Sequence, residues 1–232
     1  MNLLFLTTAL ASQPPVEPGT WLLDVTVTTE AKLPFFGRSR VVTRTIGVSE
    51  LRRDGDGWRQ RDVPCRIRID DDSPGRTVIP DAFLAGLDAP EYAVSFAPAG
   101  EGWRYTADPG VDVVGFDPRV RSTLPEDPRD PGVIDHEGDG KPGATVVLEV
   151  PVFGRVEVYV AQIGHVSYAG DVGADGTIAG STVIHRVEQR SLGASQSMFA
   201  ANPPVVPVGG ASSFRMRPLP PGTTCGTLDQ AL

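Results

Sequence analysis

The chain has 232 residues, a formal net charge of −8, and 26 glycines and 22 prolines. That length buries a core in one domain, and the glycine and proline content lies below the level that marks disorder while fitting a fold with many turns. No segment approaches the ~20 apolar residues of a membrane-spanning helix, and the acidic balance with few aromatics excludes a nucleic-acid-binding surface.

Residues 1–11, "MNLLFLTTALA", form an apolar run ending in the small-x-small triplet Ala9-Leu10-Ala11, which is the pattern of an export signal. A polar, proline-rich linker covers 12–19, and 20–232 is expected to form one domain. "WLLDVTVTT" alternates Trp21, Leu23, Val25 and Val27 with Asp24, Thr26 and Thr28, the period-2 pattern of a half-buried strand. "RVVTRTIGV" and "WRQRDVPCRIRID" continue it, joined across the hairpin signal "DGDG" at 54–57. Residues 31–76 carry an excess of Lys and Arg, but Arg66 and Arg68 alternate with apolar residues and so belong to a solvated outer face.

Cys65 and Cys225 are the whole thiol inventory. In an exported chain they are expected to pair, and neither has the histidine neighbour or helix setting of a catalytic thiol. Further strands are expected in "TVIP", "YAVSFAP", "WRYTA", "VDVVGF", "ATVVLEVPV", "RVEVYVAQIGHVSY", "TIAGSTVIHRVEQRS" and "SSFRMRP". Short helical pieces are expected in "DAFLAGL" and "SLGASQSMFAA". The fold class is therefore all-β, an antiparallel barrel or a sandwich of about eight to ten strands. The turn at Asp175-Gly176 makes a hairpin that brings His165 and His185 nearly opposite each other. With no third ligand evident, these histidines are expected to be ordinary sheet residues rather than a metal site.

A long acidic loop, 118–144, contains "DHEGDGKPGAT". Counting Asp135 as position 1 puts Asp135, Glu137 and Asp139 at 1, 3 and 5, Gly140 at 6 and the Lys141 carbonyl at 7. Alternate carboxylates converge as such a segment curls, so the spacing suits Ca²⁺, with Asp130 as a further oxygen donor and Asp127 or Glu149 as others. His136, between ligand positions, is expected to face outward without a role. The segment resembles the D-x-D-x-D-G calcium loops of EF-hand-like, dockerin and thrombospondin type 3 modules. Val146 at position 12 and the strand that follows separate it from a true EF-hand. "GTW" before the first strand resembles the G-x-W start of lipocalin-like barrels, which implies a barrel interior able to hold an apolar molecule.

No G-x-S-x-G, H-E-x-x-H, P-loop or dinucleotide fingerprint is present, so no enzyme is expected. The expected function is a non-catalytic, exported protein of the cell envelope or extracellular space with a structural Ca²⁺ loop. The alternative is a carrier of a small apolar ligand. Partners are then that ligand or an envelope component, with no oligomeric state specified.

Overall fold

The computed structural model describes residues 13–33, 37–72 and 75–232. The expected export signal lies outside the described residues. Three long strands come first: β1 (Gly19–Leu33), β2 (Gly37–Asp54) and β3 (Gly57–Asp71). The short β4 (Arg76–Val78) and helix α1 (Asp81–Ala85) follow, then β5 (Glu91–Ala99), β6 (Gly102–Ala107) and β7 (Val111–Val114). After a long connection come β8 (Ala144–Val150), β9 (Gly154–Val172), β10 (Ile178–Ala194), β11 (Val205–Pro207), β12 (Ser213–Pro218) and helix α2 (Leu228–Ala231). The second expected helical segment forms only a 3-10 turn at Ser197–Phe199, because β10 continues to Ala194.

All twelve strands join one antiparallel sheet whose order, β10-β12-β1-β2-β3-β4-β8-β9, closes through the β9–β10 pairing. The sheet is thus a ring rather than two separate stacked layers. Among the described residues, twelve strands pass the ten expected: the three-residue β4 overlaps the expected "TVIP", whereas β11, equally short, is unexpected, since a segment that short carries no period. The long strands β3 and β9 are bridged twice. At one end β5 and β6 link Trp58–Arg61 of β3 to the Tyr168–Val172 end of β9. At the other, β4 and β8 link Arg68 and Ile69 to the Gly154–Val160 end. Between these bridges β7 pairs with β9, and α1 packs against β3 and β8.

The double bridging divides the interior into two halves. Around β5 and β6 the ring is filled by aromatic and aliphatic side chains, among them Trp21, Leu51, Trp58, Tyr105, Phe214 and Met216. Tyr105 is fully buried, and its hydroxyl donates to Gln60 Oε1 at 2.6 Å. Gln60 Nε2 in turn donates to Asp62 Oδ1 at 2.9 Å, and the Tyr92 hydroxyl donates to Asp62 Oδ2. Burial raises the Asp62 carboxyl above its ordinary range, opposed by those hydrogen bonds. Burial likewise raises the phenols of Tyr92, Tyr105 and Tyr168. Tyr105, Gln60, Asp62 and Tyr92 are therefore linked to one another, the condition under which a buried network is tolerated.

Two layers cover the outside. The 115–143 connection lays Phe116, Leu124 and Val133 over Tyr159, Ile163 and Leu192 on β9 and β10. The C-terminal segment lays Leu219 and Leu228 over Leu22 and Val48. It is tethered by the expected disulfide between Cys65 and Cys225, with Cα atoms 5.1 Å apart. Outward arginines find acidic neighbours: Arg44 with Asp24, Arg52 with Glu91, Arg66 with Asp229 and Arg68 with Asp70. Exposed pairs of this kind add little to stability, about 0–1 kcal/mol each.

Candidate functional site

Around β4 and β8 the ring encloses a cavity of about 510 Å³. Its wall follows from strand alternation. On β8 the inward positions are Val146, Leu148 and Val150, and on β9 Val158 and Val160. Across the ring, Val27 and Ala31 of β1, Val41 of β2 and Ile67 and Ile69 of β3 complete an apolar surface, and Phe83 of α1 contributes its ring. From Val158 to Gly164 the lining runs along seven residues of β9, about 20 Å of extended strand.

The two ends of the cavity differ in chemistry. Toward the β8–β9 turn, Phe153 packs edge-on against Phe199 of the wall, with ring centroids 5.4 Å apart. Val152 beside it is fully exposed and has φ 73°, a left-handed conformation that a β-branched residue rarely holds. Toward the filled half the lining turns polar. Gln162 Nε2 donates to Gln189 Oε1 at 2.7 Å, and Asp112 is paired in register with Gly164. Asp112 is exposed and borders the cavity. Desolvation raises its carboxyl above the ordinary range, with the Val113 amide opposing, Asp88 adding to the rise and His136 reducing it.

The acidic loop lies outside this cavity but is bonded to its wall. Ligand atoms of Asp135, Glu137 and Asp139 lie within 4.8 Å of one another, an arrangement that can hold a metal ion. Asp135 accepts the amide protons of Asp139 and Gly140 at 2.9 and 2.7 Å, which holds its carboxyl below the usual range. Asp139 accepts from the Lys141 amide at 2.9 Å and from the Thr145 hydroxyl at 3.1 Å. Glu137 Oε1 accepts the Thr145 amide at 2.8 Å, while its Oε2 is buried without a hydrogen-bond partner. Burial raises the Glu137 carboxyl.

Lys141 keeps its expected place in the turn, with its ammonium 5.8 Å from the Tyr159 ring. Asp130 does not join the acidic group: it pairs with Arg121 and accepts the Gly132 amide at 2.8 Å. Asp127 accepts the Arg129 amide, and Glu149 stands on β8 opposite Arg76 and Arg155.

His136 departs from its expected outward position. Its Nε2 lies 3.1 Å from the Phe83 carbonyl oxygen and its ring packs on Phe83, so the loop is fastened to the helix that walls the cavity. Position 12, Val146, lines the cavity itself. The histidine pair lies on the opposite face, with rings 4.6 Å apart. His165 bonds to Asp108 and His185 to Ser167, each at 2.8 Å, which fits their reading as sheet residues.

Sequence reasoning missed Asp112 and Gly164. In "VDVVGF" alternation puts Val111 and Val113 on one face and Asp112 and Val114 on the other, with nothing to show which pair faces inward. Val113 instead turns outward under the 115–143 connection, with Phe116 and Ile163. Gly164, an isolated glycine inside a strand pattern, was the available signal, since such positions mark a close approach by a ligand or backbone. Searches against models of protein families, curated proteins and solved structures match nothing to this chain.

Proposed function

We propose that this is an exported, non-catalytic protein that carries a small apolar molecule in the open half of its ring. The cavity supports this reading: its volume falls in the range of small-molecule sites, about 300–1,000 Å³, and its wall is largely valine, isoleucine, leucine and phenylalanine. An apolar guest gains roughly 25 cal/mol per Å² of surface removed from water there. Export is supported by the "MNLLFLTTALA" run and by a disulfide, which persists in oxidising compartments. The test is native mass spectrometry of protein purified without detergent. A discrete apolar adduct that disappears on denaturation is expected. A bare mass that stays bare after incubation with apolar candidates overturns the reading.

A second role, Ca²⁺ bound by Asp135, Glu137 and Asp139, is favoured by the partnerless Glu137 Oε2 buried within an all-oxygen donor set. The ion would stiffen the loop that Thr145 and His136 join to the cavity wall. Millimolar Ca²⁺ is then expected to raise the melting temperature relative to chelator, and Asp139→Ala to abolish the rise. Equal melting temperatures in both conditions exclude the ion.

A further inference from the structure

We propose that the molecule carried in the cavity has a cationic head group, a protonated amine on an apolar body, received by Asp112 where the cavity meets the filled half. The inference rests on the carrier reading and adds the chemical class of the ligand. Its first support is the register. Asp112 pairs with Gly164, and Val114 pairs with Gln162; all four line the cavity and share the inward face. Asp112 thus presents a carboxylate to the interior at one end of a largely apolar channel.

Its second support is the sign of the charge at the wall. Four charged residues border the cavity among those described: Asp71, Arg76, Asp112 and Glu188. Arg76 and Glu188 occupy register positions that alternate with the inward Thr77 and Val187, so both belong to the outer face. Glu188 is also engaged by Arg186 through two hydrogen bonds, of 2.6 and 3.0 Å. The inward positions are those of Asp71, opposite Val41, and Asp112. Among the described lining residues, no inward position is cationic, and Asp112 forms no ion pair. A carboxylate in such a setting must take up a proton, keep water or meet a cation. An ammonium group supplies the cation and removes the charge from the apolar surroundings, whereas a fatty acid would set two carboxylates against each other. The raised carboxyl of Asp112 agrees with a charge that lacks its partner.

The third support is space. A Cβ built on Gly164 meets no atom within 4 Å, so the position beside the carboxylate is open. Gln162 donates to Gln189 and keeps its own amide oxygen as a second acceptor for ammonium protons. The net charge of −8 also draws cations toward the molecule.

The test is calorimetric titration of the delipidated, disulfide-bonded protein with decylamine, decanol and decanoate at pH 7.5. Decylamine is expected to bind at least tenfold tighter than decanoate, and Asp112→Asn to reduce that ratio at least fivefold. Equal affinities for the three compounds overturn the head-group assignment while leaving the carrier reading intact. Tighter binding of decanoate overturns it too and points to Arg76. Failure of all three to bind removes both. The wild-type series decides the matter alone should the variant not fold.

Discussion

Gly164 and Gly170 both face inward on β9, six residues apart, and their surroundings are opposite. A Cβ on Gly170 would come within 2.5 Å of the Ala179 carbonyl oxygen and 2.9 Å of the Phe214 ring, whereas a Cβ on Gly164 would meet nothing within 4 Å. The first glycine makes room for a core already filled; the second borders space that the protein leaves open. One strand thus serves a structural half, in which aromatic rings and a linked polar network occupy the interior, and a half whose interior is left open. Protein interiors otherwise approach the packing of organic crystals, so an unfilled half forgoes packing that would stabilise the fold.

Four perturbations break or sharpen this contrast. The largest acts on both halves at once, because β3 runs through each and carries Cys65. Opening the 160-residue loop with Cys65→Ser and Cys225→Ser together is expected to cost about 5 kcal/mol by chain entropy and to lower one cooperative unfolding transition. Two separate transitions in a urea melt would instead show that the halves unfold independently. Next, the same truncation should cost more in the filled half. Leu51→Ala is expected to lose about 3–5 kcal/mol, and Leu148→Ala, on the cavity wall, about 1–2 kcal/mol, since Leu148 is only partly buried against its neighbours and borders open space. Equal losses in chemical denaturation would contradict the division.

The third perturbation concerns the polar network. Tyr105→Phe removes the donor to Gln60 Oε1 and is expected to cost about 1–3 kcal/mol by leaving a buried acceptor unmet. The smallest effect is that of pH on Asp62. Its carboxyl is raised in the folded protein, so the native state holds a proton that the unfolded state has released. The stability this contributes is fully present below the ordinary carboxylate value of 3.8 and is lost as pH rises through the raised value. Relative to Asp62→Asn, the wild type is therefore expected to gain stability as pH falls from neutral. A difference that stays constant from pH 7 down to the ordinary carboxylate value of 3.8 would show that Asp62 titrates normally.

What the sequence disclosed was local. Alternation in "WLLDVTVTT", the "DGDG" and Asp175-Gly176 turns, the spacing of the acidic triad and the paired cysteines depend on neighbours in the chain or on counting, and each is found in the fold. What it concealed depends on partners distant in sequence. Ring closure rests on β9 meeting β10 along one edge and β8, β7 and β6 along the other. The cavity is lined largely by aliphatic residues of β1, β2, β3, β8 and β9 that leave space between them, while rings from β5, β6 and β12 meet in the other half. His136 could not be placed without knowing that α1 lies beneath it, nor Asp112 without knowing which face of β7 the 115–143 connection covers.

The central claim, that the open half receives an apolar molecule, is tested most directly by titrating N-phenyl-1-naphthylamine into wild type and Gly164→Leu. Gly164 has neither a positive φ nor a neighbour for its Cβ, so leucine there fills the cavity without straining the backbone. Saturable one-to-one fluorescence enhancement is predicted for the wild type, with loss of that signal and an unchanged or higher melting temperature for the variant. Identical saturation curves for the two proteins, or no saturable binding by the wild type, would contradict the account.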